Sequence, residues 1–166
     1  MTDAVTGLTN HTGLLIATQT LIDGGQTSGA PFALAYFGAD SYGSLTDPNG
    51  YASDDHVLVV VADIIIRNIR ADDRAGRIGA ETFAVLIPDC DETEAYGVAT
   101  RVLSSLNREI AMQRLPVGFW VGIACFPTPP ADAQAAFVAA AGAVREARDL
   151  RTIHLTTVTR KPPGGD

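Results

Sequence analysis

Cysteine and long apolar runs are both scarce in this sequence. Only two of the 166 residues are cysteines, Cys90 and Cys125, which lie far apart and have no histidine nearby. This spacing does not fit a structural zinc site, and we expect two buried free thiols in a reducing cytoplasm. The longest apolar stretches, Val57–Ile66 and Val117–Phe126, are too short to span a bilayer, and no secretory signal is visible at the N-terminus. The sequence therefore predicts a cytoplasmic protein with no membrane partner.

Positive charge is also in short supply. Lysine and arginine number 12 against 19 aspartates and glutamates, which gives a net charge of −7 and a pI of about 4.8. An acidic surface argues against nucleic acid as a partner, although it is compatible with a local basic pocket for a small phosphate ligand. The three histidines, His11, His56 and His154, share no metal-binding spacing, and no metal site is predicted.

What the sequence does contain is the apolar content of one globular domain, arranged in periodic segments. Hydrophobic residues make up 46% of the chain, enough for a sizeable core, and Trp120 is expected within that core. Helical spacing and capping residues predict four helices, namely one from Asn10 or Thr12 to Leu21 or Ile22 that ends at Gly24-Gly25, one that begins at Ser53 or Asp54, Glu92–Ile110, and Ala131–Leu150. Extended runs predict five strands, of which the second and third form a hairpin: Phe32–Phe37, Arg74–Ile78, Phe83–Ile87, Val117–Phe126 and Arg151–Val158.

The order of these segments predicts the fold class. Directly joined strands mixed with helical crossovers indicate an α/β layer fold of the α+β sandwich type, with a mixed, largely antiparallel sheet of five strands flanked by helices. The polar segment from Gly38 to Asn49 is predicted to be a loop. We expect one domain over residues 1–158 and a disordered Pro/Gly-rich tail over residues 159–166.

Four spaced segments carry patterns that occur together in one family. Asp3–Asn10 resembles DxLTGLxN, and Arg77–Phe83 resembles RxGG(D/E)EF with the letters GAETF in place of GGDEF. Between them, six residues fall at positions of the family's segment DxDxFKxxNDxxGHxxGDxxL, namely Asp40, Tyr42, Asp47, Gly50, Asp55 and Leu58. Val121–Ala124 resembles a strand usually written SGIA. In this order and spacing, from Asp3 to about Val158, the chain resembles a GGDEF domain of the diguanylate cyclases.

This resemblance implies a fold and a chemistry. The implied fold is like the catalytic core of the nucleotidyl cyclases. Active members of the family join two GTP molecules into cyclic di-GMP through attack of a 3′-hydroxyl on an α-phosphate, assisted by metal ions. Each domain holds one GTP, so the resemblance implies a homodimer for any activity that remains.

The positions that hold metal in the family are altered here. The first metal-binding Asp aligns with Gly38, which has no side-chain ligand to offer. In the hairpin, Ala80 replaces the second glycine, Glu81 keeps a carboxylate, and Thr82 replaces a glutamate. We expect no intact catalytic site, only the remnants Asp40 and Glu81, and no required cofactor, with Mg²⁺ bound only if a residual GTP site is used. Glu81 could equally be a solvated residue of a hairpin turn.

The family's contacts to GTP are also reduced. The base-reading Asn and Asp correspond to Thr46 and Asp55, and the loop lysine that touches phosphate corresponds to Gly43. Near the C-terminus, the phosphate-binding lysine is Arg148 and the following arginine is Thr152. The resemblance thus leaves Asp55 and Arg148 as a weak residual GTP site, and Asp55 could equally cap a helix or be solvated.

A second ligand surface of the family is better preserved. Many members carry an inhibitory site for cyclic di-GMP, written RxxD, five residues before the hairpin motif. Here Arg70–Asp73 is followed by Arg74–Ile78 and then by Gly79, and the family's further arginine corresponds to Arg101. Two guanidinium groups can grip phosphates and guanine edges with paired donors, and Asp73 can accept from guanine. The alternative is a surface ion pair between Arg70 and Asp73, which are i,i+3 neighbours.

The resemblance therefore implies three functions of different class. The first is a catalytically inactive receptor or regulatory module that binds cyclic di-GMP through Arg70, Asp73 and Arg101. The second is a protein-interaction or dimerisation module that acts without a ligand. The third is a residually active diguanylate cyclase or a GTP-binding pseudo-enzyme. No sensor domain is attached to the chain, so we expect its input from a separate protein or from the rest of a longer chain.

Overall fold

The computed structural model describes residues 1–28, 30–41, 51–115 and 117–159, which contain four helices and five strands. In chain order the elements are α1 (His11–Ser28), β1 (Phe32–Ser41), α2 (Tyr51–Asn68), β2 (Arg74–Arg77), β3 (Thr82–Pro88), α3 (Glu92–Gln113), β4 (Val117–Phe126), α4 (Ala133–Leu150) and β5 (His154–Thr157). Across these ranges, no helix has the length and apolar character needed to cross a bilayer.

The five strands form one mixed sheet in the order β2-β3-β1-β4-β5. The pairs β2–β3, β3–β1 and β1–β4 are antiparallel, and only β4–β5 is parallel. This arrangement confirms the predicted five-stranded, largely antiparallel sheet. The predicted hairpin is formed by β2 and β3, with Arg77 opposite Phe83 in its register.

Helices cover both faces of the sheet, because the central strand β1 is apolar on both sides. Successive side chains of a strand point to opposite faces. Ala33, Ala35 and Phe37 belong to the apolar cluster that packs α2 and α3 against one face. The alternate residues Leu34 and Tyr36 belong to the cluster that packs α1 and α4 against the other. Two layers of helices therefore enclose the sheet.

Close packing of α4 on β4 depends on Gly122. A Cβ atom at this position would lie 2.0 Å from the backbone nitrogen of Val144 and 2.3 Å from the carbonyl carbon of Ala143. No side chain fits between two backbones at this distance, so glycine is what lets the helix lie directly on the strand.

The predicted boundaries of α1, β1 and α2 are wrong. Helix α1 does not end at Gly24-Gly25 but runs to Ser28, because glycine inside a helix costs only about 1 kcal/mol and does not forbid it. Strand β1 does not end at Phe37: it continues through Gly38 to Ser41 because β4 pairs with it along this whole length. Helix α2 begins at Tyr51, before the predicted caps, whose side chains lie outside the described residues.

The helix ends show which capping residues are used. The Oδ1 atom of Asn10 accepts from the backbone nitrogen of Gly13 at 2.9 Å, so Asn10 rather than Thr12 caps α1. Helix α3 begins after a capping box between Asp91 and Glu94 and runs to Gln113, three residues further than predicted. Helix α4 starts at Ala133 rather than Ala131, because Asp132 is its cap.

The two cysteines lie in the core as free thiols, as expected. Burial raises the pKa of Cys90 to about 12 and that of Cys125 to about 11, so both thiols stay protonated at neutral pH. Of the tail predicted from residue 159 onward, residues 160–166 lie outside the described part of the chain, as does 42–50 of the predicted loop.

Candidate functional site

The hairpin turn between β2 and β3 lies against the end of β1. The backbone nitrogen of Ala39 donates to the carbonyl of Glu81 at 2.9 Å, and Gly38 is the register partner of Thr82. Across β1, Gly38 is also opposite Trp120 of β4. The altered hairpin residues and the glycine in β1 therefore meet at one point of the sheet.

A pocket of about 390 Å³ opens at this point, between the strands and the C-terminal half of α4. Its lining includes Gly38, Glu81, Thr82, Trp120, Arg145 and Arg148. Of the residues predicted for the catalytic and GTP sites, Gly38, Glu81, Thr82 and Arg148 thus share one pocket, whereas Asp55 is exposed on α2 and does not line it. The backbone of Asp40 pairs with Gly118, and its side chain, like Gly43 and Thr46, lies outside the description.

Sequence reasoning missed two features of this pocket. Trp120, expected in the core, is only half-buried, and it lines the pocket. Arg145 was not singled out, although it is exposed at the rim one helical turn before Arg148. The helical spacing of the two arginines was the available signal, because residues three apart share one helix face.

The pocket is a poor fit for a magnesium ion. Magnesium prefers an octahedral set of oxygen ligands that includes carboxylates. Among the described residues that line the pocket, Glu81 supplies the one carboxylate, and Gly38 supplies no side chain. Within the described ranges no group of three or more histidine, cysteine or acidic residues is placed to hold a metal ion.

The N-terminal turn is fastened to the base of the hairpin by Arg77. The Oδ2 atom of Asp3 accepts from the backbone nitrogen of Thr6 at 2.9 Å and from its hydroxyl at 2.7 Å. The Nη1 atom of Arg77 donates to Oδ1 of Asp3 at 3.1 Å, and its Nη2 donates to the carbonyl of Ala80 at 2.8 Å. The N-terminal motif Asp3–Asn10 and the hairpin motif Arg77–Phe83 are therefore in direct contact.

The environment of Asp3 favours its charged form. Partial burial works to raise the pKa of Asp3, but the hydrogen bonds from Thr6 and the positive charge of Arg77 outweigh it and hold the pKa below its ordinary value. The contact between Asp3 and Arg77 is therefore an ion pair across a wide pH range, although nothing in the sequence pattern pointed to it.

The predicted pair Arg70 and Asp73 is ordered at the end of α2. The Nη2 atom of Arg70 lies 3.2 Å from Oδ1 of Asp73, whose side chain is fully buried, and the backbone nitrogen of Arg70 donates to Oδ2 at 2.8 Å. A further bond runs from Nη2 of Arg70 to the carbonyl of Pro88 at 3.0 Å. The hydrogen bond to Asp73 raises the pKa of Arg70. Arg70 is thus a fixed, partly exposed cation.

Arg101 lies on the same surface as Arg70. Its Nε atom donates to the carbonyl of Asn68, the last residue of α2, at 2.9 Å. Glu94, at the start of α3, lies 3.7 Å from Nη1 of Arg70. The structure therefore brings together the three residues predicted for this surface, Arg70, Asp73 and Arg101, and adds an acidic neighbour that the pattern did not indicate.

The RxxD surface and the hairpin pocket lie at opposite ends of β3. The pocket includes Thr82, the first residue of this seven-residue strand, and Arg70 contacts Pro88, the last. At about 3.3 Å per residue, the two ends are about 20 Å apart. One ligand of ordinary size does not reach both.

Comparison with known proteins gives relatives of one kind. Over 105 residues the chain is 29% identical to the probable diguanylate cyclase DgcE of Escherichia coli K12, which covers 63% of this chain and 10% of that protein. Over 129 residues it is 30% identical to the diguanylate cyclase TpbB of Pseudomonas aeruginosa, which covers 73% of this chain and 30% of the relative. The chain thus spans a minor part of the length of these relatives.

Solved structures share the fold. The GGDEF domain of PA1120 (TpbB or YfiN) from Pseudomonas aeruginosa has a TM-score of 0.80 at 24% identity, covering 93% of this chain and 94% of that one. The GGDEF domain of DgcB from Caulobacter crescentus, solved in complex with c-di-GMP, has a TM-score of 0.81 at 18% identity, covering 93% and 92%.

The family assignment rests on a family model that matches most of the chain. The family model described as "Diguanylate cyclase, GGDEF domain" matches residues 1–152 of the 166. This span includes the N-terminal turn, the RxxD surface, the hairpin and the pocket beside it. The chain therefore belongs to the GGDEF-domain family of the diguanylate cyclases.

Proposed function

We propose that this chain is a degenerate GGDEF domain that makes no cyclic di-GMP and instead binds it, as a receptor or regulatory module, at Arg70, Asp73 and Arg101. The observation that carries the proposal is that Arg70, just after α2, and Arg101, on α3, are both held at the C-terminal end of α2. Arg70 is held by a buried carboxylate and Arg101 is held by the carbonyl of Asn68. Residues 1–158 act as one domain in this proposal.

The loss of catalysis follows from the chemistry of the hairpin pocket. A cyclase needs carboxylates to hold metal ions against the triphosphate. Gly38 and Thr82 offer none where the family has an aspartate and a glutamate, and even the loss of a residue that only orients a metal ligand costs about 10–100-fold. Glu81 alone does not compensate for two missing ligands.

Cyclic di-GMP suits the RxxD surface by charge and by geometry. Guanidinium groups recognise phosphates and the acceptor edge of guanine with pairs of parallel donors. Because Asp73 and the carbonyl of Pro88 already fix Arg70, little side-chain freedom is lost on binding. The GGDEF domain of DgcB from Caulobacter crescentus, which has the same fold, was solved in complex with c-di-GMP, and this supports the choice of ligand.

Calorimetric titration of the purified chain with cyclic di-GMP tests the binding. At about 100 μM protein, we expect saturating heat with a dissociation constant in the low-micromolar range or below. Arg101→Ala should weaken binding at least about 10-fold, since a charged hydrogen-bond donor is lost. Arg108→Ala, which removes an exposed arginine elsewhere on α3, is the matched control and should bind as the wild type does.

Arg70→Ala is a less clean variant than Arg101→Ala, because it leaves the buried carboxylate of Asp73 without its ionic partner. Its fold is checked by circular dichroism before titration. A wild-type titration without heat overturns the receptor role and leaves the ligand-independent interaction module and the GTP-binding pseudo-enzyme as the remaining non-catalytic functions.

A turnover assay tests the loss of catalysis separately. The chain is incubated with GTP and either Mg²⁺ or Mn²⁺, beside an intact diguanylate cyclase of the same family. We expect no cyclic di-GMP above background. Product formation at a rate comparable with the intact relative would show that the altered ligands suffice, and the chain would then be an enzyme.

A further inference from the structure

A pocket of about 410 Å³ lies where α3 begins, at the opposite end of β1 from the hairpin pocket. Its lining comes from three separate parts of the chain, namely residue 31, residues 90–93 and residues 125–127. The residues of the RxxD surface, Arg70, Asp73 and Arg101, do not line it. The pocket therefore belongs to neither of the sites described above.

Both cysteines of the chain line this pocket. Cys90 and Cys125 are each 4% exposed, and both belong to the apolar cluster on one face of the sheet. Cys125 of β4 is the register partner of Ala33 in β1, and the backbone nitrogen of Cys90 donates to the carbonyl of Pro31 at 3.3 Å. Two thiols that are distant in sequence therefore lie beside the first residues of β1.

The two thiols also influence each other electrostatically. Burial is the larger cause of the raised pKa of Cys90, and the negative charge that Cys125 can carry raises that pKa further. An effect of this kind weakens as the distance between two groups grows. Cys90 and Cys125 therefore interact across the pocket that they share.

Sulfur atoms are the ligands that the wall of this pocket offers. The thiol of Cys90 donates to the carbonyl of Ile87 at 3.3 Å, whereas the thiol of Cys125 has no hydrogen-bond partner among the described residues. The walls beside the thiols are formed by proline and by the ring of Phe126, which bring no side-chain ligand. A ligand that enters the pocket thus meets two thiols in apolar surroundings.

Two carboxylates stand at the rim of the pocket, and both already have partners. The Oδ1 atom of Asp91 accepts from the backbone nitrogen of Glu94 at 2.8 Å, and Oε1 of Glu92 accepts from the hydroxyl of Thr157 at 2.6 Å. Both side chains are exposed. Their negative charge favours the approach of a cation, while their hydrogen bonds hold them in the cap and against β5.

We propose that Cys90 and Cys125 together bind one soft monovalent metal ion, such as copper(I), in a two-coordinate site. Thiolate sulfur is the ligand that selects copper(I) among the biological metals. Zinc takes four ligands and magnesium takes six, whereas within the described ranges no third histidine, cysteine or acidic residue joins the two thiols as a ligand.

The charges of the binding reaction balance at the start of α3. Both thiols are protonated before the ion arrives, so one metal ion displaces two protons and leaves a complex of two thiolates with a net charge of −1. Helix α3 is 22 residues long, and the free backbone N–H groups of its first turn stabilise negative charge beside them. The helix thus offsets the charge that the complex brings into the pocket.

Copper(I) itself is the probe for this site. The purified, reduced chain is titrated with copper(I) without oxygen, in competition with the chromophoric chelator bicinchoninate. We expect uptake of one ion per chain, an ultraviolet charge-transfer band from thiolate to copper, and two sulfur neighbours in the X-ray absorption spectrum. Silver(I), which has the same charge and no accessible redox step, should bind with the same stoichiometry.

Cys90→Ala and Cys125→Ala are the test variants. Each should weaken copper(I) binding at least about 100-fold, because even the loss of a residue that only orients a metal ligand costs about 10–100-fold. Val102→Ala is the matched control, since Val102 is fully buried in the same apolar cluster but does not line the pocket. It loosens the core, keeps both thiols, and should bind copper(I) as the wild type does.

Three results would overturn the proposal. The first is no uptake of copper(I) against the chelator, and the second is a single sulfur neighbour in the absorption spectrum of the wild type, a measurement that does not depend on how the variants fold. The third is zinc(II) binding as tight as that of copper(I), which would mean that Asp91 or Glu92 completes a four-coordinate site. None of these measurements involves cyclic di-GMP, so the outcome is independent of the receptor role.

Discussion

At the scale of single residues, Gly122 is a position where one added methyl group has a large consequence. Its Cβ would overlap backbone atoms of α4, which cannot rotate away as a side chain can. Gly122→Ala should therefore lower the free energy of unfolding by about 3 kcal/mol or more. Urea denaturation followed by circular dichroism measures it.

Gly142 is the matched control for this substitution, because it lies in α4 itself and a Cβ there would meet nothing within 4 Å. Gly142→Ala should stabilise the protein by about 0.5–1 kcal/mol, since alanine is the better helix former. Equal effects of the two substitutions would mean that α4 does not lie directly on β4.

Asp3 is the residue whose protonation should matter in acid. Its folded pKa lies below the ordinary value of 3.8, so its contribution to stability is present above that pH and is lost as the pH falls through the lower, folded value. Asp3→Asn should therefore be about 1–2 kcal/mol less stable than the wild type at pH 7, and this difference should shrink below pH 4. Denaturant titrations of both proteins between pH 2.5 and 7 test this. A difference that does not change with pH would show that the Arg77 contact is not ionic.

At the scale of the elements, the C-terminal end of α3 holds an arginine in a conformation that favours glycine. Arg114 caps the helix with φ 53° and ψ 44°. The left-handed backbone conformation costs a residue with a side chain about 1–2 kcal/mol. Glycine avoids this cost, but it loses more conformational entropy on folding, which offsets part of the gain. Arg114→Gly should raise the free energy of unfolding by about 0.5–1 kcal/mol, measured by thermal unfolding. Arg108→Gly, inside the same helix, should instead lower it by about 1 kcal/mol.

The first turn of α3 lies beside the proposed binding surface for cyclic di-GMP. Glu94 closes the capping box with Asp91 and also lies beside Arg70. Glu94→Gln keeps an oxygen for the cap and removes the negative charge, so cyclic di-GMP should bind about 2–5-fold more tightly in a calorimetric titration. Glu92→Gln removes the same charge from the same turn, where Glu92 accepts from Thr157 instead. A similar gain in both variants would point to net charge rather than to Arg70.

Most elements could be predicted from the sequence because local patterns specify them. Periodic apolar residues gave the helices, and the hairpin followed from two extended runs around Gly79. The end of β1 could not be predicted, because Gly38, Asp40 and Ser41 resemble a loop and become strand only through pairing with β4. Partner strands distant in sequence override local composition there.

At the scale of the whole molecule, the two candidate sites also differ in whether local sequence or distant partners specify them. Arg70 and Asp73 could be predicted as a pair because they are neighbours in the chain, and the structure adds the burial that orders them. The two pockets beside Thr82 could be predicted only in part: the family resemblance grouped Gly38, Thr82 and Arg148, whereas nothing in the sequence joined Tyr36 of β1 to Phe137 of α4, which line the second of them. A site assembled by tertiary packing leaves no local signal in the sequence.

The ion pair between Asp3 and Arg77 also bears on how force would pass through the molecule. The N-terminal turn is connected to the hairpin by the Arg77 side chain, in addition to the chain that leads into α1 and the backbone pairing of Thr9 with Gly76. A force applied to Met1 would be transmitted along two paths from Asp3. One of them runs through the Arg77 side chain to Ala80 and does not include α1. A force applied to the N-terminal turn would therefore act on the hairpin through the Asp3–Arg77 ion pair as well as through α1.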